Sequence, residues 1–225
     1  MLSPIVAPAE LITGQRMNVA EFLSRWEDLP ELKNAELIDG VVYVPSPVSL
    51  DHGSLDTQIH WWLAQYAYST PGCQCGNNST WLMLDSAPQP DSYLRILPAY
   101  GGQSRDEGKY SAGGPELVVE ICLTSTEVDF GPKLVLYQRA GVREYITLEL
   151  FKKRIVWRVL QNDVYFSQSA PPDGVLRSHV FPGLWLDVAG FWENNGAKML
   201  GALNAGLSTA DHQRFVEALR ARLLA

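Results

Sequence analysis

Cysteine is scarce: the 225 residues hold only Cys73, Cys75 and Cys122. An odd number, with no C-x-x-C pair and no second ligand pair at zinc spacing, excludes a disulfide framework and a familiar structural zinc site. Reduced thiols in a cytoplasmic protein are the expectation. Long apolar runs are missing too. No stretch approaches the length of about 20 residues that spans a bilayer, and the opening Met1-Leu2-Ser3-Pro4-Ile5-Val6-Ala7-Pro8 has neither a basic stretch nor a sustained apolar core. A soluble protein without a membrane partner follows. Basic charge is in deficit, with 18 Lys and Arg against 25 Asp and Glu, a formal charge of −7 and a pI near 5.1. That balance argues against broad attraction to polyanions. A local basic groove from Lys152, Lys153, Arg154 and Arg158 stays open beside the plainer reading of a solvated strand or turn edge. There is no internal repeat and no low-complexity segment.

What is present suffices for a substantial core, since 46% of the residues are apolar. Three parts are expected: an exposed, partly extended arm over residues 1–16, a main domain over 17–192, and a helical extension over 193–225. Asn18 with Glu21 reads as a capping box opening a helix to about Leu29. Asp39-Gly40 is a hairpin signal between Glu36-Leu37-Ile38 and Val41-Val42-Tyr43-Val44. Leu55, Ile59, Trp62, Leu63 and Tyr66 recur at helical spacing, and their aromatic bulk fits core packing better than base stacking. Residues 79–85 and 90–97 suggest two strands, and the polar, glycine-rich segment 100–114 a mobile surface loop. A hairpin is expected around Gln161-Asn162-Asp163, and an amphipathic helix from about Ser208 to Leu224.

Two carboxylates stand out. Glu120 falls inside the apolar run Leu117-Val118-Val119-Glu120-Ile121, entered after the turn segment Ser111-Ala112-Gly113-Gly114-Pro115. A buried unpaired charge there would cost several kcal/mol. A metal ion, a basic partner or a raised pKa would each compensate, and the first two suit hydrolysis of phosphate esters. Asp91, after Pro90, stands at the start of another strand. Asp129, Lys133 and Tyr137 recur at i, i+4 and i+8, predicting one helical stripe that ends near Gly141. Val142-Arg143-Glu144-Tyr145-Ile146-Thr147-Leu148 is β-rich, so strand, helix and strand form an expected βαβ unit. A lysine on the crossover helix would lean over Glu120. His52, without a visible partner, is read as capping, hydrogen-bonding near the site or touching substrate.

These pieces resemble, in order and over roughly residues 18–190, the "putative restriction endonuclease" family of the Uma-two type, within the PD-(D/E)XK nuclease superfamily. The matching segments are Glu36-Leu37-Ile38-Asp39-Gly40-Val41-Val42, Pro45-Ser46-Pro47 with His52-Gly53, Pro90-Asp91, Pro115-Glu116-Leu117-Val118-Val119-Glu120-Ile121, Asp129 with Lys133 and Tyr137, and Gly141-Val142-Arg143-Glu144-Tyr145. The resemblance implies a restriction-endonuclease-like α/β fold, bordering on α+β, with a mixed central sheet flanked by helices and additional β-hairpins. It implies that Asp91 and Glu120, with the backbone carbonyl of Ile121, ligate Mg2+, with Mn2+ as a substitute. It also implies that Glu36 contributes an acidic group, and that Lys133 replaces the lysine normally found two positions after the glutamate, where this chain has Cys122. DNA is the implied substrate and a homodimer the implied assembly. Several flanks depart from the family. Leu123-Thr124 stand where it has Ser-Pro, and Tyr145-Ile146 and Leu148-Glu149-Leu150 where it has Tyr-Trp and Val-Asp-Pro. Those departures and the acidic balance leave an alternative, a noncatalytic nuclease-fold protein that binds a partner or nucleic acid.

Overall fold

The computed structural model describes residues 10–122, 126–169 and 171–223. The first part contains α1 (Val19–Glu27), β1 (Glu36–Ile38), β2 (Val41–Tyr43), α2 (Leu50–Ser69), β3 (Cys73–Gly76) and β4 (Trp81–Leu82). Next come β5 (Ser92–Ile96), β6 (Arg105–Glu107), β7 (Tyr110–Ala112), β8 (Leu117–Cys122), α3 (Thr126–Asp129) and α4 (Pro132–Arg139). The chain continues through β9 (Glu144–Glu149), β10 (Arg154–Gln161), β11 (Val164–Ser167), β12 (Val175–Arg177) and β13 (Trp185–Asp187). It closes on α5 (Val188–Trp192), α6 (Gly196–Leu207) and α7 (Ala210–Leu223). No helix among the described residues is long and apolar enough to cross a membrane.

The central sheet has six strands in the order β11-β10-β9-β8-β5-β3. Only β8 and β9 run parallel; the other four pairings are antiparallel. This is the mixed sheet expected, and the parallel pair is the expected βαβ unit, because two parallel neighbours need a crossover. Both faces of β8 are covered: all six residues are buried. Leu117, Val119 and Ile121 pack with Ile59, Trp62, Leu63 and Tyr66 of α2 and with Met199, Leu203 and Leu219 of the last two helices. Val118, of opposite parity, packs with Trp81, Tyr93, Leu136, Tyr137 and Tyr145. Period-two alternation thus points Glu120, two residues after Val118, toward α4.

Local chemistry accounts for several joints. The Asn18 side chain accepts from Glu21 N at 2.9 Å, capping α1. Asp39 and Gly40 take φ of 47° and 74°, the left-handed pair that a two-residue turn demands, so β1 and β2 form the expected hairpin. Asn162 and Asp163, at φ 50° and 62°, repeat the device between β10 and β11. Two expectations differ from the structure. Asp129 and Lys133 do not share one helix: α3 ends at Asp129 and α4 starts at Pro132. Pro132 fits only a first helical turn, and Gly131 is needed because a Cβ there would sit 2.5 Å from the Glu127 carbonyl oxygen. Segment 100–114 carries the β6–β7 hairpin, with β7 pairing to β4 in a separate small sheet. Residues 10–16, the described part of the expected arm, are mostly exposed and run beside β2. Gly14 N donates to Val42 O at 2.9 Å, Val42 N donates to Gln15 O at 2.8 Å, and Leu11 is buried with Leu37 and Val42. An edge strand with free backbone groups recruits the nearest extended segment. Residues 1–9, Leu123, Thr124 and Leu224 lie outside the described residues.

Candidate active site

The β5–β8 ladder ends at Ser92 opposite Val119, so Asp91, one residue before the strand, comes alongside Glu120. Asp91 takes over where the ladder stops: its Oδ2 accepts from Ile121 N at 2.7 Å. On the next residue the carbonyl of Cys122 accepts from Leu150 N, on the β9 side. Successive residues of a strand direct their backbone groups to opposite neighbours, so the Ile121 carbonyl faces the Asp91 side. Two carboxylates and one carbonyl therefore meet at one end of the sheet.

Glu120 is 2% exposed, and desolvation on that scale requires compensation. It comes from α4. Lys133 Nζ stands 3.0 Å and Tyr137 OH 2.6 Å from Glu120 Oε1, the two side chains lying one turn apart on the same helical face. Lys133 Nζ is also 2.9 Å from Glu36 Oε1 and 3.9 Å from Asp129 Oδ1. Glu36, on β1, is fixed from a third direction by Gln89 N at 2.7 Å. His52 Nε2 lies 3.4 Å from Asp91 Oδ1. The Ser49 hydroxyl caps α2 by accepting from His52 N, which sets His52 in the helix's first turn. The structure thus brings Glu36, Asp91, Glu120, Ile121 and Lys133 together, with His52 at the rim.

Electrostatics follow from the crowding of four carboxylates, Glu36, Asp91, Glu120 and Asp129, around one ammonium. Burial works against the charge on Lys133, but Glu120, Glu36, Asp129 and Asp91 outweigh it and hold its pKa well above the usual value. Lys133 is therefore a permanent cation and donor here, not a base. Burial raises Glu120 well above the carboxylate range; Lys133 pulls it back, and Asp91, Asp129 and Glu36 push it up again. Burial raises Glu36 as well, against Lys133 and the Gln89 amide. The hydrogen bond to Asp91 raises His52, against partial burial. Four carboxyl groups surround the one ammonium, and a donor set so rich in oxygen suits a hard cation. No set of three or more His, Cys, Asp or Glu among the described residues is arranged to hold a metal by itself. Magnesium needs less, since it is commonly bound through one or two carboxylates and keeps several waters. Asp91, Glu120 and the Ile121 carbonyl fit that demand.

Several residues beside this cluster went unassigned in the sequence reading. Tyr137 lay on the expected stripe without a stated role, yet it donates to Glu120. Asp56 and His60 follow His52 at four-residue intervals along α2, a polar stripe whose spacing was there to be read. His60 Nδ1 is 3.4 Å from Ser92 Oγ, while His52 Nδ1 and Asp56 Oδ1 are buried without a hydrogen-bond partner among the described residues. Of the basic residues Lys152, Lys153, Arg154 and Arg158, three are already engaged. Lys152 and Arg154 both pair with Glu149, as a solvated strand edge would. Arg158 is buried, donating to Thr147 Oγ1 at 3.1 Å beneath the rings of Phe130 and Tyr145.

A family described as "Uma2: Putative restriction endonuclease" matches residues 19–189, most of the chain. The chain belongs to the Uma2 family. The match runs from α1 into α5 and includes every carboxylate of the cluster, whereas α6 and α7 lie beyond it. Among solved structures, the Uma2 chain is similar to a protein from Anabaena variabilis ATCC 29413 titled a "putative nuclease belonging to DUF820". The TM-score is 0.60 at 16% identity, covering 79% of this chain and 98% of that one. At that identity the likeness concerns the fold. The comparison with curated proteins gives no match.

Proposed function

We propose that this Uma2 protein is a metal-dependent endonuclease that hydrolyses DNA phosphodiester bonds at the Asp91–Glu120–Lys133 cluster. The observation that carries the reading is Lys133 Nζ, held between Glu120 Oε1 and Glu36 Oε1 at 3.0 and 2.9 Å beside a third carboxylate, Asp91. A structural ion pair needs one carboxylate for one ammonium; this cluster keeps four.

In this reading Asp91, Glu120 and the Ile121 carbonyl hold Mg2+, for which Mn2+ can substitute. When bound, the ion supplies Lewis-acid polarisation of the phosphodiester and a lowered pKa for water. Hydrolysis joins a water oxygen to phosphorus while the bond from phosphorus to the leaving sugar oxygen breaks, and a proton passes to that oxygen. Lys133, always charged, donates to the phosphoryl oxygens on which charge accumulates. Glu36 orients the ammonium of Lys133, and its raised pKa lets it hold or release a proton beside the reacting water. Tyr137 and the Gln89 amide fix the rotamers of Glu120 and Glu36, and Ile121 N–H fixes Asp91.

The test is cleavage of supercoiled plasmid and of single-stranded DNA in Mg2+ or Mn2+ by the purified parent and its Asp91→Ala variant. Cleavage by the parent alone supports the assignment, and equal cleavage by the variant sinks it. The acidic balance and the altered flanks favour the noncatalytic alternative. Failure of the parent either to cleave or to bind metal would select that reading.

A further inference from the structure

Arg95 is a second buried charge with no part in the cluster above. It stands on β5 with its residue only 5% exposed. Alternation puts it on the same face as Tyr93, and its guanidinium lies 5.8 Å from the Trp81 ring centroid. Three of its five N–H groups are spent: Nε donates to Gln74 Oε1 at 2.7 Å, and Nη1 donates to Asp106 Oδ1 at 2.8 Å and Ser111 Oγ at 3.2 Å. Nη2 makes no hydrogen bond among the described residues. Arg95 lines a cavity of about 410 Å3 shared with Thr80, Lys109, Tyr110 and Ser111.

The groups around that cavity are set to donate. Thr80 Oγ1 already accepts from Gln89 Nε2 at 3.0 Å, and Ser111 Oγ accepts from Arg95, so each hydroxyl proton is free for an acceptor. Lys109 lies over the Tyr110 ring but is already paired with Glu27. Among the residues lining the cavity, the carboxylate beside Arg95 is that of Asp106. It is 65% exposed while its partner side chain is 6% exposed, and it belongs to β6, whose three residues are all exposed. An exposed carboxylate is weakly held. A guanidinium with a free edge, flanked by two donor hydroxyls, matches the oxygens of a phosphate group.

We propose that Arg95, Thr80 and Ser111 form a phosphate-binding site in which the Asp106 carboxylate occupies the ligand's place when none is bound. Arg95 lies four residues along β5 from Asp91, a rise of about 13 Å, within the reach of one nucleic-acid strand. A phosphodiester of the strand being cut is therefore one source of the ligand; free phosphate is the other. Only the choice of a nucleic-acid strand as source rests on the nuclease reading.

The experiment is calorimetric titration of the full chain in EDTA, first with inorganic phosphate and then with a ten-nucleotide single strand lacking a terminal phosphate. Asp106→Asn removes the competing charge and tightens phosphate binding by about threefold. Thr80→Val weakens it by about threefold and Arg95→Gln by about tenfold, the loss of charge-assisted hydrogen bonds. If Arg95→Gln does not fold, Asp106→Asn and Thr80→Val decide. A strand that responds to these substitutions as phosphate does assigns the site to phosphodiesters; a response confined to phosphate assigns it to the free anion. Absence of phosphate binding, or binding indifferent to Asp106 and Thr80, overturns the site and leaves Arg95 as a strut tying the β6–β7 hairpin to the sheet. Glu120→Gln binds phosphate as the parent does, so loss of cleavage in that variant is separable from loss of this site.

Discussion

The ammonium of Lys133 stands 3.0 Å from Oε1 of Glu120, a contact made across the crossover between β8 and α4 with both side chains almost wholly withdrawn from water. Cys122 stands two residues after Glu120 on the strand, and α4 delivers the charge. The pair is what makes a glutamate tolerable in the middle of a buried strand.

Lys133→Met leaves Glu120 and Glu36 buried without their cation. Breaking a buried pair from one side costs about 3–5 kcal/mol, and here two carboxylates are orphaned. Chemical denaturation should show the loss, smaller at acid pH, where both carboxylates can take up protons. An unchanged midpoint at pH 8 would contradict the pairing.

Tyr137→Phe removes the 2.6 Å hydrogen bond to Glu120 and little else. A hydrogen bond to a charged group is worth about 2 kcal/mol, so Tm should fall by roughly 4–8 °C for a chain of this size. The measurement is a thermal melt of the two proteins side by side.

Gly131→Ala tests the break between α3 and α4. The added Cβ would meet the Glu127 carbonyl oxygen at 2.5 Å, and backbone on that side cannot yield as a side chain would. Overpacking of this kind costs about 1–3 kcal/mol. Because the junction carries Asp129 into Lys133, DNA cleavage should fall further than the melting temperature alone accounts for.

Glu144 provides a pH test away from the cluster. Burial raises its pKa to about 7 from 4.5, against hydrogen bonds from Ser178 and the His179 amide. A carboxyl that binds its proton more tightly when folded adds stability at low pH. The contribution, about 3 kcal/mol, is complete below pH 4.5 and disappears as the pH rises to about 7. The difference in unfolding free energy between parent and Glu144→Gln should therefore change across that window and be flat above it. A constant difference would show that Glu144 is not raised.

Much of the fold was legible because its signals are local. The Asp39-Gly40 turn, the Asn18 cap and the apolar run around Glu120 each declare themselves within a few residues. The break at Gly131-Pro132 is equally local, a glycine followed by a helix-opening proline, although the i, i+4, i+8 spacing of Asp129, Lys133 and Tyr137 predicts one stripe across it. What escaped depends on distant partners. Arg105-Asp106-Glu107 is charged and exposed throughout, so β6 has no alternation to reveal it; it is a strand because β7 pairs with it and Arg95 grips Asp106. Glu36 and the Gln89 amide meet from 53 positions apart, through the bridge between Leu37 and Ala87. The carboxylates themselves were legible because charge in an apolar run is conspicuous, whereas the stripe His52, Asp56, His60 hides in an ordinary amphipathic helix.

The central claim, that Asp91 and Glu120 together form a divalent-cation site, is tested most directly by calorimetric titration of Mg2+ and Mn2+ into the parent, Asp91→Asn and Glu120→Gln. Glu120→Gln keeps Lys133 paired with Glu36 and Asp129, so a folded variant is expected, to be checked by its melt. Saturable metal binding to the parent and its loss in both variants are expected. Binding that survives either substitution in a folded protein, or a parent that binds neither ion, would contradict the claim.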